Sequence, residues 1–246
     1  PGDLVVFNDT RVVPARFRFP DENAELLCVE KESSTLWRCM VRPGKRFREG
    51  RTFSLGPVTG TVLEVLENGQ RRIRFDAPVP EDELGELALP PYIGRQADET
   101  DRERYQTVYA QKPGSIAAPT AGLHFTPEIM ARLRHTFVTL HVGPGTFLPV
   151  KAETVADHVM HREHFELAEP AAREIREAGR VVAVGTTVVR VLEHLAREGG
   201  IRAGAGETEI FIYPPYEFQA VGALLTNFHL PKSTCSCWSA RWRAGS

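Results

Sequence analysis

The tightest constraint on this chain is a change of period. Between Ala24 and Ala77, five short stretches rich in valine, leucine, threonine and aromatic residues follow one another: Ala24–Glu30, Thr35–Arg42, Arg51–Leu55, Val58–Glu67 and Gln70–Asp76. Such close spacing predicts a small antiparallel barrel or sandwich, with Asn68-Gly69 as a two-residue hairpin turn. The rest of the chain has another rhythm. A strand at Leu4–Phe7 precedes the short stretches. After residue 126, strands fit Thr136–Val142, His164–Leu167, Arg180–Val184, Glu209–Tyr213 and Ala223–Thr226, and helices fit Pro127–Arg134, Pro170–Ala178 and Thr187–Arg197. Alternation of this kind predicts an α/β domain, a mixed sheet with flanking helices. The expected organisation is a discontinuous α/β main domain, 1–20 with 81–246, into which a small antiparallel β-barrel domain, 21–80, is inserted near the N-terminus. An acidic connector, Glu81–Asp101, leads to a helix expected over Asp98–Ala110.

At 246 residues with 42% hydrophobic and 25% charged, the chain can bury a sizeable core, and no apolar run approaches a membrane span. A cytoplasmic location is the expectation, without membrane contact. The net charge of -2 argues against coating nucleic acid by bulk attraction but permits a local basic patch. Arg38, Arg42, Lys45, Arg46, Arg48 and Arg51, then Arg71, Arg72 and Arg74, supply one on the barrel stretches. Cys28, Cys39, Cys235 and Cys237 have no zinc-ligand spacing, so reduced thiols are expected. Pro1-Gly2-Asp3 feeds straight into a strand, as though the chain were entered in mid-domain. The Cys/Trp-rich run Cys235–Arg243 carries no helix or strand period, and a frameshift is the hypothesis for it.

Polar loops mark the candidate site. Ser115–Thr126 crowds small residues around Pro119 and Gly122, holds Thr120 and His124, and ends where Thr126 caps a helix begun by Pro127. Three further loops follow predicted strands: His141-Val142-Gly143-Pro144-Gly145-Thr146, Gly185-Thr186-Thr187 and Thr226-Asn227-Phe228-His229-Leu230-Pro231-Lys232. In α/β sheets function gathers at strand ends, and a helix start such as that after Gly185 offers free N–H groups to an anion. Asp9 and Arg11 either pair with each other or face a cleft. His158, His161 and His164 fall on no common helix or strand face, so no metal site is expected.

The segments Asn8–Arg16, Arg104–Ala110, Ala117–Thr126, Leu140–Phe147, His158–His161, Val184–Thr187 and Leu224–Thr234 closely resemble the S-adenosylmethionine:tRNA ribosyltransferase-isomerase family of queuosine biosynthesis. The resemblance implies a transferase that takes S-adenosylmethionine as ribosyl donor. Its acceptor would be 7-aminomethyl-7-deazaguanine at the tRNA wobble position, and its products epoxyqueuosine-tRNA, adenine and methionine. No metal and no cofactor beyond the co-substrate are implied, and a monomer is expected.

For the base that removes the sulfonium-acidified 5′ proton, the candidates are His124 and His229, with His141 third. Asp9, if protonated, or a histidine would assist departing adenine. The Gly185-Thr186-Thr187 helix start and an acid such as Asp9 suit the methionine carboxylate and ammonium. Arg11, Arg190 and Lys232 suit tRNA phosphate or that carboxylate. Thr120, Gly122, Thr126, His141, Gly143, Gly145, Thr146 and Asn227 complete the implied substrate-binding set. The chain departs from the family pattern at Pro144, Leu148, Arg162 and Gly222. Competing expectations are a tRNA-binding module, a metal-dependent hydrolase and a family member inactive through its altered ends.

Overall fold

The opening strand, β1 (Asp3–Asn8), lies inside a six-stranded sheet. The computed structural model describes residues 2–19, 23–90, 93–143, 145, 162–213 and 215–227. Thr146, His158, His161, His229, Lys232 and the Cys235–Arg243 run lie outside the described residues. The chain divides into two compact units, Pro1–Val12 with Glu103–Ser246, and Val13–Arg102.

After β1 comes β2 (Thr10–Val12), then the strands of the second unit: β3 (Arg16–Phe19), β4 (Ala24–Lys31), β5 (Leu36–Arg42), β6 (Thr52–Leu55), β7 (Val58–Val65) and β8 (Arg71–Phe75). They form one antiparallel sheet in the order β3-β4-β5-β8-β7-β6. Alternate residues turn inward, among them Phe17, Leu26, Trp37, Val62 and Ile73, all 0% exposed. Phe19 on one edge strand and Phe53 on the other bring their rings to 5.6 Å, so the sheet curls into a nearly closed barrel. Cys28 and Cys39 lie opposite each other across β4 and β5 as free, buried thiols, and burial pushes the Cys39 thiol well above its usual range. The turn between β7 and β8 is one residue longer than the Asn68-Gly69 expectation. Leu66 O accepts from Gly69 N at 2.8 Å and Gln70 O from Leu66 N at 2.9 Å, with Gly69 alone at positive φ (82°). Two short helices, α1 (Glu81–Leu84) and α2 (Asp101–Arg104), follow. The helix expected over Asp98–Ala110 shrinks to α2 because Asp98 Oδ1 takes the Thr100 N–H in a turn and Tyr105 and Tyr109 leave the helix for buried positions.

The first unit continues with β9 (Lys112–Ser115), α3 (Pro127–Met130), β10 (His135–Leu140), β11 (Glu163–Leu167), α4 (Glu169–Glu177), β12 (Arg180–Val184), α5 (Thr186–Arg197), β13 (Gly204–Thr208) and β14 (Ala223–Leu225). Its main sheet has the order β13-β11-β10-β1-β12-β14, parallel from β10 through β1 and β12 to β14 and antiparallel at β11. The separate pair β2-β9 is parallel. Leu4 and Val6 pack with Val138 and Leu140 against Ala171, Ala172 and Ile175 of α4 and Val188, Val191, Leu192 and Leu195 of α5. The α5 positions have the spacing of one helical face. Val5 and Phe7 turn to the opposite layer, where Tyr109, Ala121, Phe125, Met130 and Phe137 meet them.

Two elements differ from expectation for backbone reasons. The helix after Pro127 stops at Met130 because Arg134 O is taken by Val5 N at 3.0 Å, which commits that segment to the sheet. The strand expected at Glu209–Tyr213 is displaced to β13, where Gly204 to Thr208 pair residue by residue with Leu167 to Glu163. No helix of the described residues is long and apolar enough to cross a membrane.

Candidate active site at the strand ends

β1 has β10 on one side and β12 on the other, and all three end at the same edge. The chain leaves β1, returns on one flank as β10 and later on the other as β12, which makes the end of β1 a topological switch point. Asp9 is the residue that follows. Period two carries Val5 and Phe7 of β1 with Asp9 just beyond it, and Phe137 and Thr139 of β10 with His141 just beyond it, to one face, with apolar residues below and polar residues at the rim.

Asp9 is 8% exposed and its Oδ1 accepts from Thr139 Oγ1 at 2.6 Å. Burial raises its pKa, opposed by the Thr139 hydroxyl and the Lys112 charge. The side chain therefore holds a proton more readily than a surface aspartate. Arg11 is exposed on β2, and no ion pair joins it to Asp9 among the described residues.

His141 lies beside this carboxyl. Its Nδ1 is 2.8 Å from Thr10 Oγ1, and its ring covers Gly114, where a Cβ would come within 3.0 Å of the imidazole. Gly114 has φ 145°, so both conformation and space call for glycine there. The ring of His164 stacks near it, centroids 6.2 Å apart, and Glu166 pairs with Lys112 beside both. Burial first, then the His164 charge, lowers the His141 pKa, and Glu166 and Asp9 only partly oppose this. The imidazole is thus neutral at neutral pH and able to accept a proton.

Asn8 fixes the geometry. Its amide, 0% exposed, donates to Leu140 O at 3.0 Å and accepts from Leu140 N at 3.0 Å, extending the β1-β10 pairing by a side chain.

On the other flank, the turn Thr120–His124 passes so close to Tyr109 that a Cβ on Gly122 would lie 2.0 Å from the phenol oxygen. Burial raises the Tyr109 pKa, and the Asp9 charge adds to the effect. His124 is exposed, its Nε2 3.0 Å from Asn227 Oδ1, which joins the central loop to the segment after β14. Thr126 caps α3 as expected, its hydroxyl accepting from Ile129 N at 3.4 Å. Gly185, at φ 89°, opens α5 with no side-chain cap, and Thr187 Oγ1 is buried without a partner among the described residues. That leaves donors for an anion at this helix start.

Arg190 is placed differently from the expected phosphate or carboxylate contact. It is 7% exposed and paired with buried Glu163, while its Nε and Nη2 donate to the carbonyls of Ile210 and Thr208. Glu163 Oε1 in turn accepts from Gly143 N at 2.9 Å, so the pair anchors the loop after β10. Gly145 is part-buried in that loop, and Thr120 is part-buried at the start of its turn. The sequence did not single out Thr10, Thr139, Lys112 or Glu166 as site residues. The available signal was the alternation that puts Thr139 on the same face as His141. Among the described residues no group of histidine, cysteine and acidic side chains is placed to hold a metal ion.

The family model for queuosine biosynthesis proteins matches residues 1–239. An S-adenosylmethionine:tRNA ribosyltransferase-isomerase of Trichlorobacter lovleyi is 48% identical over 252 residues, covering 95% of this chain and 74% of that protein. Its counterpart in Thermus thermophilus is 49% identical over 258 residues, with the same two coverages of 95% and 74%. The crystal structure of an S-adenosylmethionine tRNA ribosyltransferase from Thermotoga maritima matches with 31% identity and a TM-score of 0.44, over 98% of this chain and 72% of that one. By the extent of the family-model match and of the matches to the two relatives, the chain belongs to the queuosine biosynthesis protein family.

Proposed function

We propose that this chain transfers and isomerises the ribosyl moiety of S-adenosylmethionine onto 7-aminomethyl-7-deazaguanine at the tRNA wobble position, releasing adenine and methionine. The observation that carries this reading is the match at 47–49% identity along 95% of the chain to relatives named S-adenosylmethionine:tRNA ribosyltransferase-isomerase. The barrel unit is read as an insertion near the N-terminus of the catalytic unit. The enzyme is read as a cytoplasmic monomer that needs no metal.

The site geometry supports a division of labour. The sulfonium acidifies the neighbouring 5′ carbon, so the first need is a neutral base. His141 suits this better than its third place among the sequence candidates suggests, because burial keeps it neutral. In the tautomer whose Nδ1–H donates to Thr10 Oγ1, Nε2 carries the lone pair that takes the substrate proton. Asp9, with its raised pKa, suits the proton donor to departing adenine. The start of α5 at Gly185-Thr186-Thr187 suits the methionine carboxylate. His124, tied to Asn227, suits closure of the central loop over the substrate.

Adenine release in a single turnover tests the base. His141→Ala is expected to lower the rate by about 100-fold or more, the range of general base catalysis. In the wild type, the acid limb of the rate profile should fall below 6.5, the ordinary histidine value. An unimpaired His141→Ala enzyme would remove His141 from the role and return His124 and His229 to it.

A further inference from the structure

The arginine runs of the barrel unit separate into two sets once their side chains are placed. On the sheet, Arg38 pairs with Glu30, and Arg72 donates to Glu32 through Nε at 2.9 Å and Nη2 at 2.6 Å. Their charge is spent locally. Arg71 points inward, 9% exposed, with Nε donating to Phe47 O at 2.6 Å and Nη2 to Gly44 O at 3.3 Å, and with Nη1 on Gly69 O. Among the described residues all its partners are carbonyls, and no acid pairs with this buried cation. It draws the carbonyl oxygens of the Gly44–Phe47 turn toward the interior. Phe47, 3% exposed, anchors the same turn against Phe19 and Phe53.

A second basic set follows β5. Lys45, Arg46, Arg48 and Arg51 line a pocket of about 300 Å³. Lys45, Arg48 and Arg51 are exposed and have no ion pair among the described residues. From Arg42 to Arg51 there are five basic residues and one acid, Glu49. In a chain of net charge -2 this is a local concentration of positive field, held by a buried arginine beneath a pinned turn. Forked guanidinium groups match phosphate oxygens, and among the described residues the lining offers no aromatic face on which a base would stack.

We propose that this pocket binds the phosphodiester backbone of the tRNA. The inference rests on the reading of the chain as a tRNA-modifying enzyme. Phosphate contacts position a nucleic acid without reading its sequence, so the pocket acts on affinity and register.

The test uses the full chain carrying Lys45→Gln, Arg48→Gln and Arg51→Gln together, with Arg38→Gln/Arg72→Gln as the comparison. Affinity for unmodified tRNA is read by fluorescence anisotropy over a range of salt, and turnover is read by adenine release. For the triple variant the expected results are about a 10-fold or greater loss of tRNA affinity at low salt and a salt slope lower by about 2–3, near one for each contact. In turnover the effect should fall on KM for tRNA, leaving KM for S-adenosylmethionine as it was. The comparison variant should keep the wild-type slope. A triple variant with wild-type affinity and slope, in an enzyme that still binds and modifies tRNA, would overturn the pocket alone. An equal loss in both variants would also overturn it, as an effect of bulk charge. A wild-type chain that binds no tRNA would overturn the pocket together with the functional reading.

Discussion

Asp9 and His141 stand side by side in a half-dry rim, and burial shifts them in opposite senses, toward a protonated acid and a neutral imidazole. Burial costs the charged form of each, so the same surroundings favour the protonated carboxyl and the neutral imidazole. For Asp9 this has a consequence for stability. Its folded pKa is raised above the ordinary 3.8, so the folded chain holds the proton more tightly than the unfolded chain. The stability gained this way is fully present below the unfolded value and is lost as pH rises through the folded one. Asp9→Asn cannot ionise. The difference in melting temperature between Asp9→Asn and the wild type should therefore grow in favour of the variant from about pH 3 to about pH 7. Thermal unfolding at both ends of that range checks it, and a flat difference would contradict the buried-charge account.

At the scale of elements, the loop after β10 is held by a polar group that the sequence offered as a ligand contact. Arg190 on α5 and Glu163 on β11 pair at 8% and 4% side-chain exposure, and Glu163 also holds Gly143 N. Removing one partner leaves an uncompensated buried charge. Arg190→Ala should lower stability by about 3–5 kcal/mol, and the Arg190→Ala/Glu163→Ala double variant should recover part of that loss, as chemical denaturation would read. Equal loss in the single and double variants would show that the pair is not coupled. Nothing in the spacing of Arg190 distinguishes a buried anchor from a substrate contact, because its partner lies 27 positions away on a strand of the sheet. Most of the longer strands and the two longer helices were legible from period and caps, while the short β2, β3 and β9 were not: Arg180–Val184 is β12 residue for residue, and α4 and α5 start within one residue of the expected positions. β13 was not legible. Its glycine-rich stretch is made a strand by pairing with β11, and the apolar Ile210 and Ile212 beside it drew the expectation onto the wrong residues.

For the molecule as a whole, the sheet order explains why polar loops distant in sequence share one edge. Parallel strands β10, β1, β12 and β14 end together, so Asp9, His141, Gly185 and Asn227 follow their C-terminal ends. The loops were readable as motifs. Which groups touch was not, since the contacts of Asp9 with Thr139 and of Thr10 with His141 span 130 and 131 positions and follow from the register of β1 on β10.

The central claim, ribosyl transfer rather than binding alone, is tested most directly by mixing the full chain in a single turnover with S-adenosylmethionine and tRNA carrying the aminomethyl-deazaguanine. Adenine and the mass of the modified nucleoside are followed together. The account predicts adenine released in step with a mass gain on that nucleoside, both slowed by about 100-fold or more with His141→Ala. Binding of tRNA and S-adenosylmethionine with neither adenine nor a mass gain would contradict it.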